Sequence, residues 1–312
     1  MTPSASSGCR RSRPEPPSDR LSGVTDAEYA DLAARAHRAL EPLHSLVYFA
    51  PETEQALVDV GLRPGRMCYF ASRVAPMGAV GPGVVTATFN NFNPVLIARH
   101  IPRAWTLASP SQVLSARLEA VDQALHRLLG AELLGSVEVA EAAALGRAAI
   151  EGIGGEGRPL YAGYADLDWP DAAHLQLWHA ISLLREHRGD GHLACLLRHE
   201  LNGIDAIVSH TATGAGFLEA AAKLLRGWSE QEWADSVSRL RKRGILEPSG
   251  LTLTSAGQQL RASIEDDTNQ LATEPMRQLG VERAARLIEL GRPLSKLAVA
   301  NGAFPAGVFQ RR

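Results

Sequence analysis

Cysteine, lysine and aromatic residues are scarce in this 312-residue chain, and each scarcity excludes a class of protein. The three cysteines, Cys9, Cys68 and Cys195, are odd in number, widely spaced and free of CxxC pairing. That argues against a disulfide framework or a cysteine zinc site and fits a reducing cytoplasm. Lysine occurs only at Lys223, Lys242 and Lys296, and the formal charge of −2 gives no global attraction to nucleic acid or to an anionic membrane. Any such binding would need a local basic face. The sequence also lacks GxGxxG, a P-loop, HExxH and GxSxG, so no nucleotide cofactor, no zinc-protease site and no nucleophile elbow is expected.

Export and membrane signals are missing too. Arg10, Arg11 and Arg13 are followed by Pro14, Glu15, Pro16 and Pro17, where a secretory signal would place its apolar region. A run of 25 residues without formal charge separates Arg73 from Arg99, long enough on length alone to cross a bilayer. It contains Pro76, Gly78, Gly81, Pro82, Gly83, Asn90, Asn91, Asn93 and Pro94, which excludes a continuous lipid-facing helix and points to buried, irregular backbone. A cytoplasmic protein without a membrane partner is expected.

What is present is helical patterning. Residues 1–22, rich in Ser, Pro and Arg, read as a disordered tail. Thr25-Asp-Ala-Glu28 is a capping box before a helix carrying Tyr29, Leu32, Ala36, Leu40 and Leu43, which Pro42 would kink or split. Ser109-Pro110 opens a long amphipathic helix to Gly130, and an alanine-rich helix covers Val137 to Ile150. Asp171 reads as the cap of a helix to about His187, which Gly189 and Gly191 break before a further helix to Thr211. The expected organisation is the tail, a helical domain at 23–213, a small module at 214–275 and a helical arm at 276–312.

That module reads as a helix at Leu218–Leu225, a turn at Gly227, a helix at Ser229–Arg243, then Gly244-Ile245-Leu246, a turn at Pro248-Ser249-Gly250 and Leu251–Thr254 before a last helix. Leu240-Arg-Lys-Arg-Gly-Ile-Leu246 and Leu253-Thr-Ser-Ala-Gly257 resemble the helix end, strand and wing exit of the MarR regulators. The fold expected is therefore mainly α, with a winged helix bearing a small β-wing. For DNA binding the details are unfavourable. The end of the reading helix is Ser229-Glu230-Gln231-Glu232, and Gly244 to Leu260 holds no cation, whereas phosphates favour cations and repel carboxylates. The basic residues Arg239, Arg241, Lys242 and Arg243 gather at the other end, where they also complement the helix dipole.

Over about residues 30–305 the chain resembles the actinobacterial SalK-like proteins. Glu41-Pro-Leu-His44, Val47-Tyr-Phe49, Tyr69-Phe-Ala-Ser-Arg73, Ala79-Val-Gly-Pro82 and Leu184-Arg-Glu-His-Arg-Gly-Asp-Gly-His192 carry that resemblance. It implies a helical region ahead of a winged helix, and either a cofactor-free tailoring enzyme of natural-product biosynthesis or a regulator.

Chemically, Arg185 to His192 concentrates two arginines, two histidines, Glu186 and Asp190, and such charges shift one another's pKa values and suit proton transfer. His44 and Tyr48 are four apart and share a helix face, as do His174 and Trp178. Six of the ten histidines fall between His174 and His210, but His174 and His179 diverge on a helix and no zinc spacing occurs, so no metal is expected. The first expectation is an acid/base lyase or cyclase acting on a largely apolar, polyketide-like substrate, as in dehydration followed by Michael-type cyclisation. His44, Tyr48, Glu186, His187 and His192 would be catalytic, and Tyr69, Arg73, His174, Trp178, Arg188 and Asp190 would contact substrate. The alternative is a ligand-responsive regulator that binds a palindromic operator as a homodimer through Arg239, Arg241 and Arg243. A pathway scaffold would show neither activity.

Overall fold

The computed structural model of the chain describes residues 23–305; the expected disordered tail at 1–22 and residues 306–312 of the terminal arm lie outside the described residues. Helix α1 (Asp26–Ser45) starts at the expected box, with Thr25 Oγ1 accepting from the Glu28 amide and the Glu28 carboxylate accepting from the Thr25 amide at 2.7 Å. It passes through Pro42 without splitting. After α2 (Pro51–Asp59) and α3 (Arg66–Val74), the uncharged run is less irregular and less buried than its composition suggests. Pro82 and Pro94 occupy the first turns of α4 (Pro82–Thr88) and α5 (Pro94–Ala98), where a missing N–H costs nothing, and Val84 and Val95 are exposed.

Ser109 caps α6 (Pro110–Leu129) in a second box. Next come α7 (Ala131–Leu134), α8 (Val137–Ile150) and α9 (Pro159–Ala165). The expected break at Gly189 and Gly191 does not occur. A single helix, α10, runs Ala173–Arg198 through both glycines, and its N-cap is Ala172 instead of Asp171. Packing explains the glycine. A Cβ on Gly191 would lie 2.8 Å from Arg158 Nη1 and 3.3 Å from Leu271 Cβ, so the bare backbone admits two neighbours to the helix surface.

The remaining helices are α11 (Gly203–Thr211), α12 (Glu219–Arg226), α13 (Glu230–Lys242), α14 (Ser255–Leu271), α15 (Glu274–Leu279) and α16 (Val281–Ala300). No β-strand forms among the described residues. The expected strand pair contracts to one antiparallel bridge between Leu246 and Leu253, flanked by Glu247 N donating to Thr252 O and Thr254 N to Ile245 O. Arg241 closes the turn by donating to Glu247 O at 3.1 Å and Gly250 O at 2.9 Å.

Burial organises the chain around two apolar clusters. The larger draws on α1 to α9, on α10 as far as Leu183, and on α15 and α16, so the C-terminal arm is packed into the helical region. Gly291 lets α16 close on α1, since a Cβ there would meet Leu40 Cδ2 at 2.2 Å. The smaller cluster takes Cys195 and Leu196 at the end of α10, with α11 to α14 around Trp233, Leu240 and Ile264. Helix α10 is thus common to both cores. No helix among the described residues is long and apolar enough to cross a membrane.

Candidate functional site

Where α1, α3, α6 and α10 meet, the larger core is polar. His44 on α1 is fully buried and bonds through both ring nitrogens: Nε2 to Tyr48 Oη at 2.8 Å and Nδ1 to Ser182 Oγ at 2.9 Å. The network fixes the proton positions. Ser182 spends its own proton on Trp178 O, so its oxygen accepts from His44 Nδ1–H. That leaves the Nε2 lone pair to accept from the Tyr48 hydroxyl. Trp178, one turn before Ser182, stacks on the imidazole with ring centroids 6.4 Å apart. Burial, together with Arg185, Arg117 and Arg73, holds the His44 pKa well below its ordinary value, so the ring is neutral.

Glu186 is the anion of this cluster. It is 1% exposed, accepts from Arg185 Nη1 at 2.6 Å and Arg73 Nη2 at 3.4 Å, and places Oε1 3.8 Å from His44 Nε2. Burial opposes its ionisation, but Arg185 and Arg73 outweigh it and lower its pKa. Arg73 also donates to Tyr69 Oη at 3.1 Å and lies 4.5 Å above the Phe89 ring. For Tyr69 burial again works upward, yet Arg73, Arg226 and Arg185 together draw the phenol below its usual range. Tyr48, by contrast, is raised by burial. Two tyrosines 5.3 Å apart are therefore pushed in opposite directions.

Sequence reasoning assembled part of this site. His44, Tyr48, Tyr69, Arg73, Trp178 and Glu186 come together as expected. Ser182, Arg117 and Tyr164 were missed, and Arg185, counted in the charged stretch, was given no role of its own. Arg117 had a signal, a charge on the apolar stripe of α6 between Val113 and Val121. It is 2% exposed, donates to Ser72 O at 3.1 Å and to Tyr164 Oη, and sits 5.0 Å from the Trp178 ring. Its Nε and Nη2, Arg73 Nε, Trp178 Nε1 and Glu186 Oε1 are buried without a hydrogen-bond partner. None of the ion pairs among the described residues involves Arg117.

The rest of the Arg185–His192 stretch faces elsewhere, because one uninterrupted helix spreads its side chains around the axis. His187 packs edge-on to Tyr161, and burial and Arg158 push its pKa down to about 3. Arg188 pairs with Glu265 on α14, and His192 Nδ1 meets Thr268 Oγ1 at 2.9 Å. Asp190 accepts from the amides of Leu160 and Tyr161 at 3.0 and 2.9 Å and so ties α9 to α10. His174 turns away from Trp178 to Asp122 on α6. These five are not brought to the His44 cluster.

Helices α12 and α13, joined by Arg226-Gly227-Trp228-Ser229, form a helix-turn-helix with a third box at Ser229 and Glu232. Its arginines have structural partners. Arg239 donates to Asp205 at 2.8 Å, Arg241 closes the bridge turn, and Arg243 donates to Glu200 O at 2.8 Å and His199 O at 3.1 Å just past α10. Arg241 and Arg243 bond carbonyls and no carboxylate, and Lys242 is exposed. The turn itself is docked on the segment before α5. Asn91 accepts from Arg226 Nε and Trp228 Nε1, both at 3.0 Å, and Asn93 donates its amide to Arg226 O at 2.9 Å and its side chain to Glu232 at 3.0 Å. Gly203 opens α11 against the same segment, where a Cβ would lie 1.8 Å from Asn90 O.

The fold thus defines a helix-turn-helix protein with a large helical region wrapped onto the turn. Residues 33–305 match a helix-turn-helix family, and the chain belongs to that family. No curated protein and no solved structure matched the chain.

Proposed function

We propose that the chain is a ligand-responsive DNA-binding regulator, MarR-like in its module and SalK-like in its whole, acting on a two-fold operator as a homodimer. In this proposal residues 23–213, with the arm from 276 packed into them, sense a small molecule, and the module at 214–275 faces DNA. The observation that carries it is the Phe89–Asn93 segment, which touches the buried cluster on one side and the helix-turn-helix on the other. Arg73 lies over Phe89, Tyr69 stands 5.4 Å from Phe92, and Phe92 lies 4.3 Å beneath Arg226 of the turn. From there Asn91 and Asn93 hold Arg226, Trp228 and Glu232.

Charge supports a sensing role for the cluster. Arg73, Arg117 and Arg185 outnumber Glu186 and Glu41, and burial raises the Glu41 pKa towards the neutral acid. Positive charge in excess, with donors left over, favours a small organic anion. The cavity beside Glu41 and Arg185 holds about 30 Å³, room for water but not for a metabolite. That cavity is lined from α1, α10 and α15 and not by Phe89; in this proposal a ligand enters the cluster by displacing the Phe89 ring from Arg73, a movement that reaches the first turn of α13 through Asn93 and Glu232.

The test is fluorescence anisotropy of a labelled duplex from upstream of the chain's own gene, beside a scrambled duplex, at low and moderate salt. Sequence-dependent binding is expected, with the salt slope reduced by roughly 1 for each of Arg241, Lys242 and Arg243 replaced by alanine. No binding by the wild type at low salt would remove the proposal.

One observation favours the second reading, a cofactor-independent acid/base enzyme of polyketide-type biosynthesis. The neutral His44 offers Nε2 as a base to Tyr48, while Tyr69 is an acidified phenol beside the Arg73 guanidinium, which could hold an enolate. Unchanged turnover of a β-hydroxy carbonyl substrate by His44→Ala and Tyr69→Phe would remove that reading.

A further inference from the structure

Away from the buried cluster, the first turn of α10 lies against the middle of α6. Asp122 and His126 are one turn apart on α6 and share a face. His174 reaches them from α10, with Nε2 2.5 Å from Asp122 Oδ1. His126 Nδ1 stands 3.3 Å from the same oxygen, and the two imidazoles meet edge to face with centroids 5.2 Å apart. One donor atom from each side chain lies within 4.8 Å of the other two. Histidines 48 residues apart in sequence thus share one carboxylate, an arrangement that spacing within α10 alone could not indicate.

We propose that Asp122, His126 and His174 bind a divalent transition-metal ion, Zn²⁺ in the first place, with Ni²⁺ and Co²⁺ as substitutes. Two imidazoles and one carboxylate suit these ions, whereas Mg²⁺ and Ca²⁺ need more oxygen donors than the triad supplies. Around a tetrahedral ion with bonds of about 2.1 Å, donors stand about 3.4 Å apart. The Asp122–His126 edge already fits. The His174 ring has to withdraw by roughly 1 Å, exchanging its direct bond to Asp122 for a shared ion. His126 Nδ1 lies 2.9 Å from Asp122 O, so to ligate through Nδ1 the ring gives up that main-chain contact and takes the tautomer with its proton on Nε2. Asp122 and His126 are about two-fifths exposed, at 42% and 43%, so the ion has a route in and a solvent position for its fourth ligand.

The site would pin a weak point of the fold. Helix α10 begins at Ala172 without a side-chain cap, and its first turn carries His174. An ion there joins α6 to the helix that holds Trp178, Ser182 and Glu186.

The experiment uses the untagged full chain, stripped with EDTA and dialysed, and titrated with ZnCl₂ by calorimetry, with a thermal melt at each endpoint. About one equivalent of Zn²⁺ is expected to bind and to raise the melting temperature, with MgCl₂ giving neither effect. His126→Ala and His174→Ala should each weaken binding by at least ~10-fold, and Asp122→Asn should weaken it while retaining an oxygen for His174. His126 is surface-exposed, so its variant is expected to melt like the metal-free wild type. The proposal is overturned if the wild type takes up no Zn²⁺ at 100-fold molar excess. It is equally overturned if both histidine variants bind as the wild type does.

Discussion

Adding one methyl group at Gly203 tests how firmly the helical region holds the helix-turn-helix. The Cβ of an alanine there would stand 1.8 Å from the Asn90 carbonyl oxygen, and 2.8 Å from its carbon. An unstrained contact needs about 3.5 Å, so the two backbones must part by roughly 1.7 Å. Neither partner is a flexible side chain. Gly203 opens α11 next to its cap Asn202, whose Oδ1 accepts from Asp205 N at 2.9 Å, and Asn90 precedes the residues bonded to Arg226, Trp228 and Glu232. Gly203→Ala should therefore cost about 1–3 kcal/mol, the usual range for an inserted group in a well-packed contact. For a chain of this size that corresponds to a fall of roughly 2–5 °C in melting temperature. Differential scanning calorimetry and urea denaturation read it directly. Hydrogen exchange should show the loss of protection at Asn93 N, which donates to Arg226 O. An unchanged melting temperature with Asn93 still protected would mean that the segment does not press on α11, and the proposed link from cluster to turn would fail with it.

Three further perturbations have worked signs. Glu186→Ala leaves Arg73 and Arg185 without their buried carboxylate, and a loss of about 3–5 kcal/mol in urea denaturation is expected; a loss under about 1 kcal/mol would show the cluster to be well hydrated. Gly191→Ala should destabilise, although alanine inside a helix ordinarily gains about 1 kcal/mol, because Arg158 must release His187 O and Leu271 O; a rise in stability would refute the packing role of that glycine. Burial sets His187 at about 3 and His179 at about 4, against an unfolded value of about 6.5, so the unfolded chain binds more protons in that interval. Their contribution is complete above about pH 6.5 and falls as the pH drops towards 4 and then 3. Asp190, raised to about 6 chiefly by burial, acts in the opposite sense between about pH 4 and 6 and offsets about one histidine. His187→Gln should remove about 2 kcal/mol of the stability change between pH 7 and pH 5, and an unaltered pH profile would contradict its burial as a neutral ring.

Legibility followed the range of the interactions. Helix starts at Thr25, Ser109 and Ser229 were readable because a capping box is complete within four residues. The pairing of His44 with Tyr48 was readable for the same reason, being one helical turn. Gly189 and Gly191 misled because glycine in sequence signals a break, while here the absent side chain serves Arg158 and Leu271, the latter 80 residues on. With the break gone, Arg188, Asp190 and His192 point to α14 and α9 and His187 packs on Tyr161, so the dense charge run divides into two residues for the cluster, Arg185 and Glu186, and four for helix packing. The wing contracted because Leu246 and Leu253 bridge once and Arg241 supplies the remaining bonds to the turn. Docking of the turn on Asn91 and Asn93 left no trace in sequence, since its bonds join segments far apart in the chain and two of them, Trp228 to Asn91 O and Asn93 N to Arg226 O, use main-chain groups that any residue carries.

In the proposed regulator, helix α10 limits which part of the structure could respond to a ligand. Its 26 residues span about 39 Å as one rod, with His174 in the first turn, Trp178, Ser182 and Glu186 in the cluster, and Cys195 in the smaller core. A rod could carry a signal from one core to the other by sliding. This one is fastened along its length by Asp190 to the amides of α9, by Arg188 and His192 to α14, and at its end by Arg243 on the carbonyls of His199 and Glu200. Sliding would break these together, at about 1 kcal/mol or more for each bond left unmade. The Phe89–Asn93 segment is held to the turn by only a few bonds at its Asn91–Asn93 end, while Phe89 and Phe92 meet the cluster through ring faces that can shift without losing a hydrogen bond. In the proposed regulator the stiff element therefore fixes the geometry of the cluster, and the Phe89–Asn93 segment, whose rings face the cluster without hydrogen bonds, is the part that would pass a change in it to the helix-turn-helix.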